Sequence, residues 1–165
     1  MAQRANMRSR ERGVAGVEAA LVTTFFLFPL TFGMTECGRA IYQYDTLAKS
    51  VRAAARYLAA RETTDPTLAA QYVLEARNVA LCGRPACGNG TTPVLPGLTL
   101  NHIVAKLPGD DGGVRGNIPT GYGGLDLVTV TISPAGNSFN FVSAARFVVP
   151  NMAFGPISVT MPQSM

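Results

Sequence analysis

Tryptophan is absent from this chain, histidine occurs once, at His102, and cysteine three times. A three-histidine metal centre is therefore excluded, and a Ser-His-Asp arrangement would have to rest on His102 alone. Charge is also scarce, at 15% of residues, which is low for an ordinary water-facing surface. Helix-only architecture is excluded from the other side, because 17 Gly and 11 Pro are too many for a bundle. No Walker motif, HExxH, GxSxG or useful carboxylate pair occurs in the 165 residues, so the expectation is a non-catalytic protein without a cofactor. Gly121–Gly124 (GYGG) lacks the surrounding strand–helix unit of a dinucleotide fingerprint.

What charge there is sits unevenly. Arg4, Arg8, Arg10 and Arg12 against Glu11 give the first thirteen residues most of the formal +4. The rest of the chain is close to neutral and has no basic patch interleaved with aromatics, so no nucleic-acid partner is expected. After Gly13 comes the apolar run Val14–Met34, whose single charge is Glu18. About 20 residues at 1.5 Å each cross a bilayer core of about 30 Å.

Three readings of this run compete: a buried core helix, a cleaved secretory signal and a retained membrane helix. A small domain has little interior in which to hide a helix that is apolar all round. Glu18 and the lack of a clean small-x-small site count against a signal peptide. The run reads best as a membrane helix, with its basic flank on the cytoplasmic side. Glu18 then either pairs with a cation in the apolar layer or sits at headgroup depth.

A helix from Val14 to about Ala60 is expected, interrupted near Phe25–Pro29 because Pro29 removes one hydrogen bond and crowds the carbonyl four residues back. Its second half places Ile41, Tyr44, Leu47 or Ala48, Val51, Ala55 and Leu58 on one stripe. Arg39 is read as snorkelling at the interface. A second helix is expected over about Pro66–Leu81, capped by Thr64 or Asp65. Cys82–Gly97 reads as loop. Leu98–Leu107 is a candidate strand and Pro108–Gly124 a long loop. Leu125–Ile132 alternates, with Val128, Val130 and Ile132 on one face, and is followed by Phe139–Val149 and a last strand over Ile157–Met161. The fold class is α+β, a long N-terminal membrane-spanning helix packed on a small antiparallel sheet, pilin-like.

Cys82 and Cys87, five apart in a Gly/Pro loop, can close a disulfide of about 2 kcal/mol if the geometry permits and the compartment is oxidising. Cys37 is read as a small packing residue, the alternative being an intermolecular bridge. Asp110 and Asp111, with Asn117 and Thr120, raise a calcium site against a solvated turn, and the turn is the plainer reading. Two thiolates and a distant His102 are too few for zinc. Asn89-Gly90-Thr91 matches a glycosylation sequon without further support.

The stretch ERGVAGVEAALV at Glu11–Val22, the apolar run, Glu36–Arg39 (ECGR), Tyr42 and Tyr44, and Val51–Ala60 (VRAAARYLAA) together resemble the TadE-like family, minor pseudopilins of tight-adherence (Flp-type) pilus systems. The resemblance implies domains of 1–13 as a basic cytoplasmic leader, 14–36 as the transmembrane helix and 37–165 as an extracytoplasmic domain. It implies trimming between Gly13 and Val14 by a prepilin peptidase, and a charge pair between the new Val14 amine and Glu18 of a neighbouring subunit. It assigns helix packing to Arg39, Tyr42, Tyr44, Ala55 and Tyr57. The implied partners are the peptidase, other pilins and minor pseudopilins, an inner-membrane assembly platform and membrane lipid. The implied location is the bacterial inner membrane, single-pass, with a periplasmic C-terminal domain that could enter an extracellular fibre. Ala19 and Cys37 depart from the family's usual residues. The alternative reading is an unprocessed membrane-anchored scaffold of the envelope.

Overall fold

Helix α1 covers Val14–Ala59 in the computed structural model, which describes residues 14–63, 65–88, 90–110, 118–121 and 123–163. Pro29 does not break it. Thr23–Leu27 widen into a π turn instead, closed by the Phe28 N–H on the Thr23 carbonyl. Placing the wide turn just ahead of the proline takes up the bond and the space that its ring denies to the α ladder. Thr31 and Thr35 return their hydroxyls to carbonyls three or four residues back, which keeps them from exposing unpaired groups on an apolar helix.

By Cα proximity the chain divides into two compact units. One takes α1 up to Ala40 together with Val142–Asn151. The other takes Ile41–Phe141 and the chain from Met152 onward.

In the second unit, α2 spans Pro66–Cys82. Asp65 caps it by accepting the Thr67 N–H at 2.9 Å, Pro66 fills the first turn, and Gly83 ends it at φ +75°. That angle suits a residue without a Cβ. The Thr67 hydroxyl and N–H hold the Asp65 carboxyl below its usual range. The cap's contribution is therefore present above the ordinary carboxylate range and is lost as pH falls through the lowered value.

The strands are β1 (Ile103–Lys106), β2 (Ile118–Thr120), β3 (Gly123–Leu125), β4 (Leu127–Ile132), β5 (Asn140–Phe141), β6 (Met152–Ala153) and β7 (Ile157–Pro162). β4 lies between β1 and β7, both antiparallel to it, with Val130 opposite Ala105 and Val159. Period-two alternation sends Val128, Val130 and Ile132 into the core and the threonines to the other face. There Thr129 meets Thr160 at 2.7 Å and Thr131 meets Ser158 at 2.9 Å, so the outer face is tied by hydroxyl pairs. Leu47, Val51, Ala54, Ala55 and Leu58 of α1, with Ala76, Val79 and Ala80 of α2, complete the core. Small residues on both helices permit close backbone approach.

Several expectations need correction. The α1 stripe is buried only from Leu47, whereas Ile41 is 70% exposed and Tyr44 half exposed. The first part of Leu98–Leu107 is a 3₁₀ turn over Leu100–His102 rather than strand, because Arg77 donates to the carbonyls of Leu100 and Ile103 and His102 Nδ1 accepts the Thr99 N–H. The sole histidine is thus a local cap. Part of Pro108–Gly124 pairs as the β2–β3 hairpin. Phe139–Val149 is not one strand: two residues pair with β6 and the chain then leaves the ladder.

Ser133 takes a left-handed conformation at φ 61°, and its buried hydroxyl donates to the Phe154 carbonyl at 2.6 Å while accepting the Phe139 N–H at 3.0 Å. Two further contacts brace the helices. Tyr57 donates its hydroxyl to Glu75 at 2.5 Å, and Arg61 lies 4.9 Å from the Tyr57 ring centre. Burial, then the bond to Glu75, raises the Tyr57 phenol, and the Tyr57 and Gln71 donors lower the Glu75 carboxyl.

Cys82, the last residue of α2, is joined to Cys87 beyond the Gly83 cap, with Cα atoms 6.2 Å apart. Alkylation of the protein with and without reductant should add two labels on reduction, read by intact mass. Labelling of both thiols without reductant would exclude the bridge.

Candidate functional site

The first unit carries the groups that the sequence singles out. From Val14 to Met34 the helix presents its apolar side chains outward: Val14, Val17, Leu21, Val22, Phe25, Phe26 and Leu30 are all at least half exposed, Phe25 at 69%. None of this stretch is buried within the protein, and among the described residues this is the one helix long and apolar enough to cross a membrane. The reading as a buried core helix is overturned by that exposure. Leaving so many large apolar groups in water would cost about 25 cal/mol for each Å², which an apolar surrounding removes. Carbonate or high-salt washing of membranes should accordingly leave the full chain in the pellet, and its release into the wash would rule out the anchor.

Glu18 is exposed on this stretch, four residues after Val14 and hence on the same helical face. Gly13 lies outside the described residues. Arg4, Arg8, Arg10 and Arg12 lie outside them as well.

Where the apolar stretch ends, a polar knot forms. Glu36 is only 4% exposed. Its Oε1 accepts from Arg39 Nη1 at 2.7 Å and its Oε2 accepts the Ala144 N–H at 3.3 Å. Arg39 Nη2 reaches the Val142 carbonyl at 3.4 Å. The carboxylate thus holds an arginine one turn ahead and a loop more than a hundred residues away. Arg39 is engaged in this knot rather than simply extended towards water. Cys37 is free and exposed, not packed, since Glu36 and Ala40 take the inward face.

The remaining candidates fall in the second unit. Tyr42 is exposed, and Tyr44 meets the Phe154 ring edge-on at 6.0 Å. Ala55 is fully buried in the core, and Tyr57 is braced by Glu75. Asp110 uses its carboxylate to accept the Leu107 N–H at 2.8 Å, closing a turn. Asp111, Asn117 and Asn89 lie outside the described residues. Among the described residues, no three His, Cys, Asp or Glu side chains group closely enough to hold a metal ion.

Sequence reasoning did not find the bond from Glu36 to the Ala144 backbone. A carboxylate immediately after an apolar run, with an arginine at i+3, was the available signal.

Residues 13–56 match the family of TadE-like proteins. The matched span begins at Gly13 and ends within α1, taking in Glu18, the π turn, Glu36 and Arg39. Over that span the chain is similar to the family. No curated protein and no solved structure matches it significantly.

Proposed function

We propose that this chain is a minor pseudopilin that takes part in assembling or priming a Flp-type, tight-adherence pilus without performing catalysis. The observation that carries the reading is the family match over residues 13–56, on a helix whose apolar side chains are exposed from Val14 onward. In this reading the arginine-rich leader is cytoplasmic, in keeping with the positive-inside rule, and the domain after α1 is periplasmic. A prepilin peptidase cuts between Gly13 and Val14. The new amine and Glu18 of adjacent subunits pair within the bilayer of the inner membrane, which sets their axial register. Other pilins, minor pseudopilins and an inner-membrane assembly platform are the partners.

The mature N-terminus, read by top-down mass spectrometry on protein from its native host, is the test. A chain beginning Val-Ala-Gly-Val-Glu supports the assignment. An intact leader would replace it with the unprocessed scaffold, and a cut after Phe32 or beyond would replace it with a secreted protein.

A further inference from the structure

We propose that Val142–Asn151 is a second membrane-contacting element, set into the interfacial layer of the same bilayer that α1 spans. The inference rests on reading α1 as a membrane helix.

This loop folds back along the helix rather than away from it. The Phe147 ring centre lies 6.3 Å from that of Phe32, and a Cβ on Gly33 would meet Val148 Cγ1 at 3.3 Å. Phe32 lies four residues before Glu36, the first charged position after the apolar stretch, which is about 6 Å along the helix axis. The loop tip is therefore level with helix residues that belong to the apolar layer, while its first residues are held at the polar boundary by Glu36 and Arg39.

The tip is also built for an apolar boundary. Phe147 is 72% exposed and Val142 53%. Val148 and Val149 are partly exposed beside them. A loop set at the edge of the apolar layer has less water to bond its backbone than one in solution, so internal bonds favour that placement. Here the Val148 and Val149 N–H groups both donate to the Ala145 carbonyl, and Pro150 has no N–H to satisfy. The Ser143 N–H donates to Asn151 Oδ1 at 3.0 Å and the Ala144 N–H to Glu36. Arg146, exposed and adjacent to Phe147, supplies a cation for lipid phosphate in the manner of interfacial elements whose apolar groups sit about 5–10 Å below the headgroups. Continuity with the exposed apolar face of α1 identifies the bilayer as the occupant.

The absence of tryptophan makes the test clean. Phe147→Trp and, separately, Phe26→Trp place a single indole on the loop tip or on the span; both sites are exposed, so neither change strains a core. The full chain is reconstituted into vesicles of phosphatidylethanolamine and phosphatidylglycerol in a three-to-one ratio, with or without lipid brominated near the top of the acyl chains. Phe147→Trp should emit to the blue of N-acetyltryptophanamide in the same suspension. Brominated lipid should quench it several-fold, and iodide several-fold less than the free indole. Quenching of Phe26→Trp alone would overturn the loop's role and leave the anchor standing. Shielding of Phe147→Trp from both quenchers would also overturn it, in favour of a second protein copy over the tip. Failure of lipid to quench Phe26→Trp would remove the anchor and the proposal with it.

Discussion

Gly13→Phe should leave the thirteen-residue leader on the protein, whereas the unaltered chain from its native host should begin at Val14. Glycine has no side chain, so it suits a peptidase subsite that a Cβ would block, and a benzyl group closes that subsite outright. The consequence extends beyond mass. On the proposed reading, trimming would remove the four arginines that precede the helix and create an amine inside a low-dielectric layer. A carboxylate is the best partner for such an amine, and Glu18 is the only acidic residue between Val14 and Thr35. Within one helix the two groups are just over a turn apart; between neighbouring subunits the same pair also fixes register. Glu18→Ala should therefore leave membrane insertion and disulfide formation unchanged, while copies recovered with the pilus assembly fall by about tenfold or more, as expected when one partner of a poorly solvated pair is removed. Quantitative immunoblotting of sheared fibres and of the membrane fraction separates the two effects. Equal recovery of Glu18→Ala in both fractions would refute the pairing.

Much of this architecture is legible in the chain because it is periodic. The exposed span of α1 is written as a run with one charge, and β4 as an alternation in which Val128, Val130 and Ile132 go in and the threonines go out. Helix α2 is announced by Asp65-Pro66, whose capping and fixed φ act locally. Aperiodic features were not legible. The stripe on α1 continues through Ile41 and Tyr44, yet burial starts at Leu47, because where the core begins depends on what the chain brings to the helix and not on the helix itself. The β2–β3 hairpin is concealed by glycines that read as loop. Phe139–Val149 has the composition of a strand, but only Asn140 and Phe141 find a ladder partner.

The candidate site divides along the same line. Glu18 and the arginines before Gly13 are visible because charges stand out against an apolar run. The knot at Glu36 is invisible until the fold brings Val142 and Ala144 to it, since its acceptors and donors are backbone groups that any sequence possesses. Ser133 is a parallel case: nothing local marks a serine that will adopt φ 61° and bridge Phe139 to Phe154.

Val130→Asp should abolish folding of the second unit, and it is the substitution with the largest expected effect on stability. Val130 is fully buried on the central strand, with Ala105 on one side and Val159 on the other, and its side chain belongs to the cluster formed with Leu47, Val51 and Leu58. The side chains of that cluster are apolar, so an introduced carboxylate would meet none among them that could pair with it. An unpaired charge in such a site costs more than about 4 kcal/mol, against a total domain stability of about 5–15 kcal/mol. One residue earlier the same strand faces the other way. Thr129→Val gives up only the hydroxyl pair with Thr160 and leaves the core untouched, so it should cost less than about 1 kcal/mol. Protease resistance and thermal melting of the detergent-solubilised chain, followed by far-ultraviolet circular dichroism, should separate the two variants. Val130→Asp should be cut rapidly and melt without a cooperative transition, whereas Thr129→Val should stay close to the parent. A cooperative Val130→Asp transition near that of the parent would mean that this face of β4 does not pack against α1, and the assignment of the helix to the sheet would have to be abandoned.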